Sequence, residues 1–164
     1  MNRRSFLAIS MAASAALLLS ACGFRLRGTG SMPNLPPLTL EGDTQSDMAR
    51  ELATRLERQG NTGGDNAQWR VSLGSPNLDE RRLGGEGRAT RDHELTLSST
   101  VSVQRLDDNA YLLNGETLSV NTRIRVNDDD LLNRETLFSD AEQSLNRELA
   151  ERIIERLSAL NNAS

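Results

Sequence analysis

Three stretches of the chain alternate apolar and polar residues with a period of two. In the first, Trp69, Val71 and Leu73 share one side and Arg70 and Ser72 the other. In the second, Leu95, Leu97, Val101 and Val103 oppose Thr96, Ser98, Thr100 and Ser102. In the third, Leu118, Val120, Ile124 and Val126 oppose Ser119, Asn121, Arg123 and Arg125. Successive side chains of a strand point to opposite faces, so these stretches predict an antiparallel sheet with one apolar and one polar face. Leu38-Thr39-Leu40 predicts a further short strand, stopped at Gly42. Gly84, Gly85 and Gly87 mark a turn between the first two long strands. Asp107-Asp108-Asn109 and Asn114-Gly115 mark turns before the last.

Two other stretches follow the helical period. Met48, Ala49, Leu52, Ala53 and Leu56 form one stripe, with Thr44 placed to cap its start and Gly60 to end it. Ala141, Leu145, Leu149, Ile153 and Leu157 recur every fourth residue, flanked by Phe138, Ile154 and Leu160. This second helix has two candidate starts: Asp130 as a cap, or Ser139 with Glu142 as a capping box. Glu148 and Arg152 are spaced to pair on its wet side. The order β-α-β-β-β-α begins with a strand, helix, strand unit, which predicts a right-handed parallel crossover. Each helix has one apolar face and the sheet has one to receive them. The expected architecture is therefore an α+β two-layer sandwich, a four-stranded mixed sheet with two helices packed on one face. The other sheet face is left with Ser, Thr, Asn and Arg.

The amino terminus has a different character. Arg3 and Arg4 precede Leu7 to Leu19, a run of 13 apolar and small residues. A bilayer crossing needs about 20 residues, so the run reads as a secretory signal peptide. It ends at Leu19-Ser20-Ala21-Cys22, which resembles the lipobox where bacterial lipoproteins are cut and acylated. The alternative, a free cysteine buried in a core segment, does not account for the order of charge, apolar run, small residues and cysteine. The expected organisation is a cleaved signal peptide over residues 1–21, a lipid anchor and tether over 22–37, and a single domain over 38–164. Cys22 would carry N-palmitoyl and S-diacylglycerol groups and hold the chain to the membrane without spanning it. Gly23 after the cysteine favours the outer membrane. "NRRSFL" also resembles a twin-arginine export motif, so both export routes stay open.

Composition narrows the chemistry. All 19 basic residues are arginine, and the formal net charge is -4, becoming -6 once Arg3 and Arg4 are removed. An acidic chain argues against nucleic acid as a partner. An anionic ligand would need a local basic site, for which the planar guanidinium is suited. His93 is the single histidine and falls in line with Leu95 and Leu97, as a strand residue rather than a base. Asp128-Asp129-Asp130 precedes a helix, where acids act as a solvated cap. The sequence carries no metal-ligand spacing, no phosphate-cradling glycine loop and no nucleophile with its base. No enzyme activity, metal or cofactor is expected.

Four segments resemble one known family. "CGFRLRG" at the expected mature start, "LPPLTLEGD" from Leu35, "RRLGGEGRATRDHELTLSSTVSV" from Arg81 and "LNRELAERIIERLSAL" from Leu145 are similar, in order, to the opening, first strand, central hairpin and terminal helix of the LPS-assembly lipoprotein family, LptE. The resemblance covers residues 22 to 160, without the polar C-terminal tail of some members. It implies an outer-membrane lipoprotein on the periplasmic side. Such a protein forms a one-to-one complex with the β-barrel LptD, plugs its lumen, helps it assemble and binds lipopolysaccharide. A polar sheet face would suit a hydrophilic barrel lumen. The lipopolysaccharide-binding candidates are Arg81, Arg82, Arg88 and Arg91, clustered in eleven residues of the hairpin, together with Arg134, where the family often places a basic residue. Cross-strand pairing with Asp79, Glu80, Glu86 and Asp92 would neutralise the hairpin cluster instead. The competing function is an outer-membrane lipoprotein scaffold that binds a protein partner and no glycolipid.

Overall fold

The computed structural model describes residues 35–84, 90–127 and 129–163. Strand β1 (Leu38–Gly42) leads to helix α1 (Asp47–Arg58), a single 3-10 turn (Gly64–Asn66), and strands β2 (Trp69–Leu73), β3 (Asn77–Leu83), β4 (Thr90–Arg105) and β5 (Tyr111–Asn127); helix α2 (Leu131–Ala163) closes the order. The signal segment, the tether before Leu35, and Gly85 to Ala89 of the hairpin tip lie outside the described residues.

The sheet is mixed, as the crossover predicts. β1 runs parallel to β2, and every other pairing is antiparallel. Ser98 of β4 faces Asn77 of β3 and Ser119 of β5, so these strands flank β4 on opposite edges. β2 and β3 follow one another along the same edge of β4. The sheet thus has the expected four lanes but five strands, because Gly74-Ser75-Pro76 breaks one lane. Pro76 has no amide proton for the ladder. The break is held by bonds from Gly74 N to Thr100 O (2.8 Å) and from Ser99 Oγ to Gly74 O (2.7 Å).

Alternation decides what is inside. From His93 to Val103 every odd residue of β4 is buried and every even one half-buried or exposed. Leu95, Leu97, Val101 and Val103 join Trp69, Val71 and Leu73 of β2, Leu118 and Val120 of β5, Met48, Leu52 and Leu56 of α1, and Leu145, Leu149, Ile153 and Leu157 of α2 in one buried cluster. His93 lies on the same face, buried at its end. Each large aliphatic side chain withdrawn from water contributes about 1.5–3 kcal/mol, enough for the α2 stripe to dock the helix on the sheet. Leu35, placed in the tether by the expected boundary, is buried in this cluster too.

Local details revise several expectations. Thr44 does not cap α1; Ser46 does, its side chain accepting from Ala49 N, while Asp43 Oδ1 accepts from the amides of Gln45 and Ser46. Gly60 sits just beyond the helix at φ 71°, as expected. Asn114-Gly115 is not a turn. It lies inside β5 opposite Ser102, where the register shifts and Gly115 takes φ 66°. This is a β-bulge, and Ser102 Oγ accepts from Gly115 N at 2.9 Å. The turn is at Leu106 to Asp108, followed by Asn109 at φ 57°. α2 starts at Leu131, capped by Asp130, whose Oδ1 accepts from Asn133 N; Ser139 lies a further two turns inside. Arg152 pairs with Glu155 at 3.6 Å rather than with Glu148.

Candidate functional site

The long β4–β5 ladder projects past β2 and carries β3 further along that same edge, so β3, the start of β4, the end of β5 and the start of α2 meet at one end of the domain. Arg81, Arg82, Arg91 and Arg134 all lie there; Arg88 lies outside the described residues, as does Cys22.

Strand parity divides these arginines between the two sheet faces. Arg81 faces Glu94 across the ladder, on the polar side, and its Nη2 is 3.0 Å from Glu94 Oε2. Glu94 also meets Arg123 at 3.3 Å. Beside them Arg125 grips Asp92 through two bonds, at 2.8 and 3.2 Å. The Arg125 hydrogen bond holds the Asp92 carboxyl below its ordinary range, and Asp92 in turn raises the Arg125 guanidinium. The outer face is therefore a lattice of paired charges among Ser, Thr and Asn. Cross-strand pairing does occur, but Arg81 takes Glu94, which is not among the expected partners Asp79, Glu80, Glu86 and Asp92.

Arg82 and Arg91 share the parity of the helix side. Arg82 is opposite His93, with its Nε 3.9 Å from Glu80 Oε1; Arg91 is opposite Val126. His93 is fully buried, and its Nδ1 lies 2.7 Å from Glu80 Oε1. Above it, Phe138 of α2 meets the imidazole edge to face, with centroids 5.4 Å apart. One helical turn earlier, Arg134 stacks over the other part of this column, its guanidinium carbon 5.1 Å from the Phe138 centroid. The result is a continuous stack from β3 into α2: Glu80, His93, Phe138, Arg134. Glu80, His93 and Phe138 were not among the sequence-predicted site residues. The four-residue step from Arg134 to Phe138 was visible in the sequence; the reach of Glu80 to His93 depends on β3, whose seven residues carry no apolar alternation.

A concavity of about 620 Å3 lies between α1 and α2, lined by Asp47, Arg50, Glu51, Asp140, Glu142 and Arg147 among others. It is open and mixed in charge, and it does not include the arginines above. Among the described residues, no helix is long and apolar enough to cross a membrane.

A two-layer α+β domain with one polar sheet face and a basic end defines the class. No protein-family model matches the chain, and no curated protein matches it in sequence. Solved structures do match in fold. Lipoprotein B of Nitrosomonas europaea, described as uncharacterized, is 17% identical with a TM-score of 0.65, over 86% of this chain and 94% of that one. Rare lipoprotein B of Shewanella oneidensis is 16% identical with a TM-score of 0.61, over 77% and 97%. A minor lipoprotein of Acinetobacter baumannii is 17% identical with a TM-score of 0.58, over 75% and 89%. At such identities the likeness establishes a shared fold.

Proposed function

We propose that this chain is an LPS-assembly lipoprotein of the LptE type. It is acylated at Cys22 and held at the periplasmic side of the outer membrane. It pairs one-to-one with the LptD barrel, plugs and helps assemble it, and binds lipopolysaccharide without performing catalysis or using a cofactor. The observation that carries this reading is the outer sheet face. Neither helix covers it, and it presents Thr96, Ser98, Ser102, Ser119 and Asn121 with the Arg81–Glu94–Arg123 and Arg125–Asp92 pairs. A face of this kind can sit inside a hydrophilic lumen without burying an unpaired charge. The signal peptide and lipobox, and the fold shared with proteins described as lipoproteins, support the same assignment.

The scaffold reading also has an observation in its favour. Arg81 and Arg82 already face carboxylates of the same hairpin, which lowers their availability to phosphate. Purification of the full chain from membranes in mild detergent separates the two. A large β-barrel recovered one-to-one, with lipopolysaccharide retained and acyl groups on Cys22 by mass spectrometry, is the expected result. Smaller periplasmic partners and no glycolipid would favour the scaffold. A wild-type chain without acyl groups would end both. In the Cys22→Ala variant the domain should appear in the soluble periplasmic fraction, since its core makes no use of the anchor.

A further inference from the structure

Arg134 differs from the arginines around it. Arg81, Arg123 and Arg125 each lie within 3.3 Å of a carboxylate oxygen, and Arg82 lies 3.9 Å from one. The Arg134 guanidinium has no such partner among the described residues. Its Nε is buried with no hydrogen-bond acceptor, and its contact is with the face of Phe138. Asp130, one turn earlier along the chain, accepts through its Oδ1 from Asn133 N at the helix cap. A buried charged donor left without an acceptor is costly, and native structures rarely keep one that has no purpose.

We propose that Phe138, backed by the buried His93–Glu80 pair, is a positioning residue that holds the Arg134 guanidinium ready for a phosphate-bearing anion. This rests on the proposed lipopolysaccharide binding and adds the machinery that aims the arginine. The ring supports the guanidinium through its face, while the terminal Nη donors, which lie in the guanidinium plane, stay available to an acceptor. His93 fixes the ring from below, and Glu80 fixes His93 from β3. The phosphate can come from a phosphorylated glycolipid or from free phosphate.

The test uses the full chain in mild detergent, with diphosphorylated lipid A, its dephosphorylated form and inorganic pyrophosphate as probes. Wild type should bind the phosphorylated lipid A at least tenfold more tightly than the dephosphorylated one, and Arg134→Ala should lose most of that preference. Phe138→Leu should lower affinity for the phosphorylated form by about three- to tenfold and leave the dephosphorylated form unchanged, because it removes the ring but keeps apolar bulk. Phe138→Trp should restore the preference. If Phe138→Leu melts early, Phe138→Met serves in its place. A folded Phe138→Leu or Phe138→Met variant with the wild-type preference overturns the positioning role, while wild-type binding of lipid A leaves the proposed function standing. Wild type that binds neither form of lipid A removes the proposed function. In that case binding of pyrophosphate with the same Arg134 and Phe138 dependence keeps the anion site, and failure to bind it removes the site as well.

Discussion

Arg156 on α2 donates two hydrogen bonds to Glu116, beside the bulge in β5, at 2.9 and 2.7 Å. The guanidinium holds the Glu116 carboxyl below its ordinary value of 4.5. A carboxyl whose pKa falls on folding stabilises the fold above the unfolded value, and that contribution is lost as the pH drops through the lower, folded value. Both side chains are about one-third exposed, so solvent screening keeps the pair near 0.5 kcal/mol. Arg156→Gln should therefore melt slightly below wild type at pH 7, and the two curves should converge in acid below the folded pKa. A gap that persists there would assign the effect to packing of the arginine stem. At this scale the sequence was partly legible. His93 was readable as an inward strand residue from parity alone. Its partner Glu80 was not, because pairing across a hairpin depends on register.

Elements were legible in proportion to how much of them is buried on one side only. β4, β5 and both helices show their periods because one face meets the core and the other meets water. β3 was missed for the same reason: six of its seven residues are exposed, so no alternation marks it. The bulge was read as a turn because Asn-Gly favours positive φ in either setting. The face assignment makes an element-level prediction. Leu149 is fully buried in mid-α2, and Leu149→Asp would desolvate an unpaired carboxylate at a cost of several kcal/mol. Ser98 is on the outer face of β4, where an added carboxylate stays in water. Urea melts should show Leu149→Asp unfolded or nearly so, and Ser98→Asp within about 0.5 kcal/mol of wild type. Equal losses would mean that the faces are inverted.

For the domain as a whole, the composition of the two sheet faces answers different questions. The inner face is satisfied within the chain, by α1 and α2. Among the described residues, the outer face is satisfied by its own ion pairs and otherwise meets solvent, and its polarity was plain in the sequence while what faces it was not. A solvated face and a face seated in a polar lumen have the same residues; they differ in tolerance to added charge. Combining Ser98→Asp with Asn121→Asp places two carboxylates on adjacent lanes, since Ser98 pairs with Ser119 and Asn121 with Thr96. In solvent, two exposed carboxylates there change stability by less than about 1 kcal/mol. Against a lumen wall they would be desolvated without partners, and the complex would lose several kcal/mol. The double variant should therefore melt like wild type as an isolated domain and yield at least tenfold less co-purified barrel. High salt should not restore the yield, because the loss is desolvation rather than long-range repulsion. A full yield of barrel from a well-folded double variant would place this face in solvent and remove the observation on which the plug reading stands.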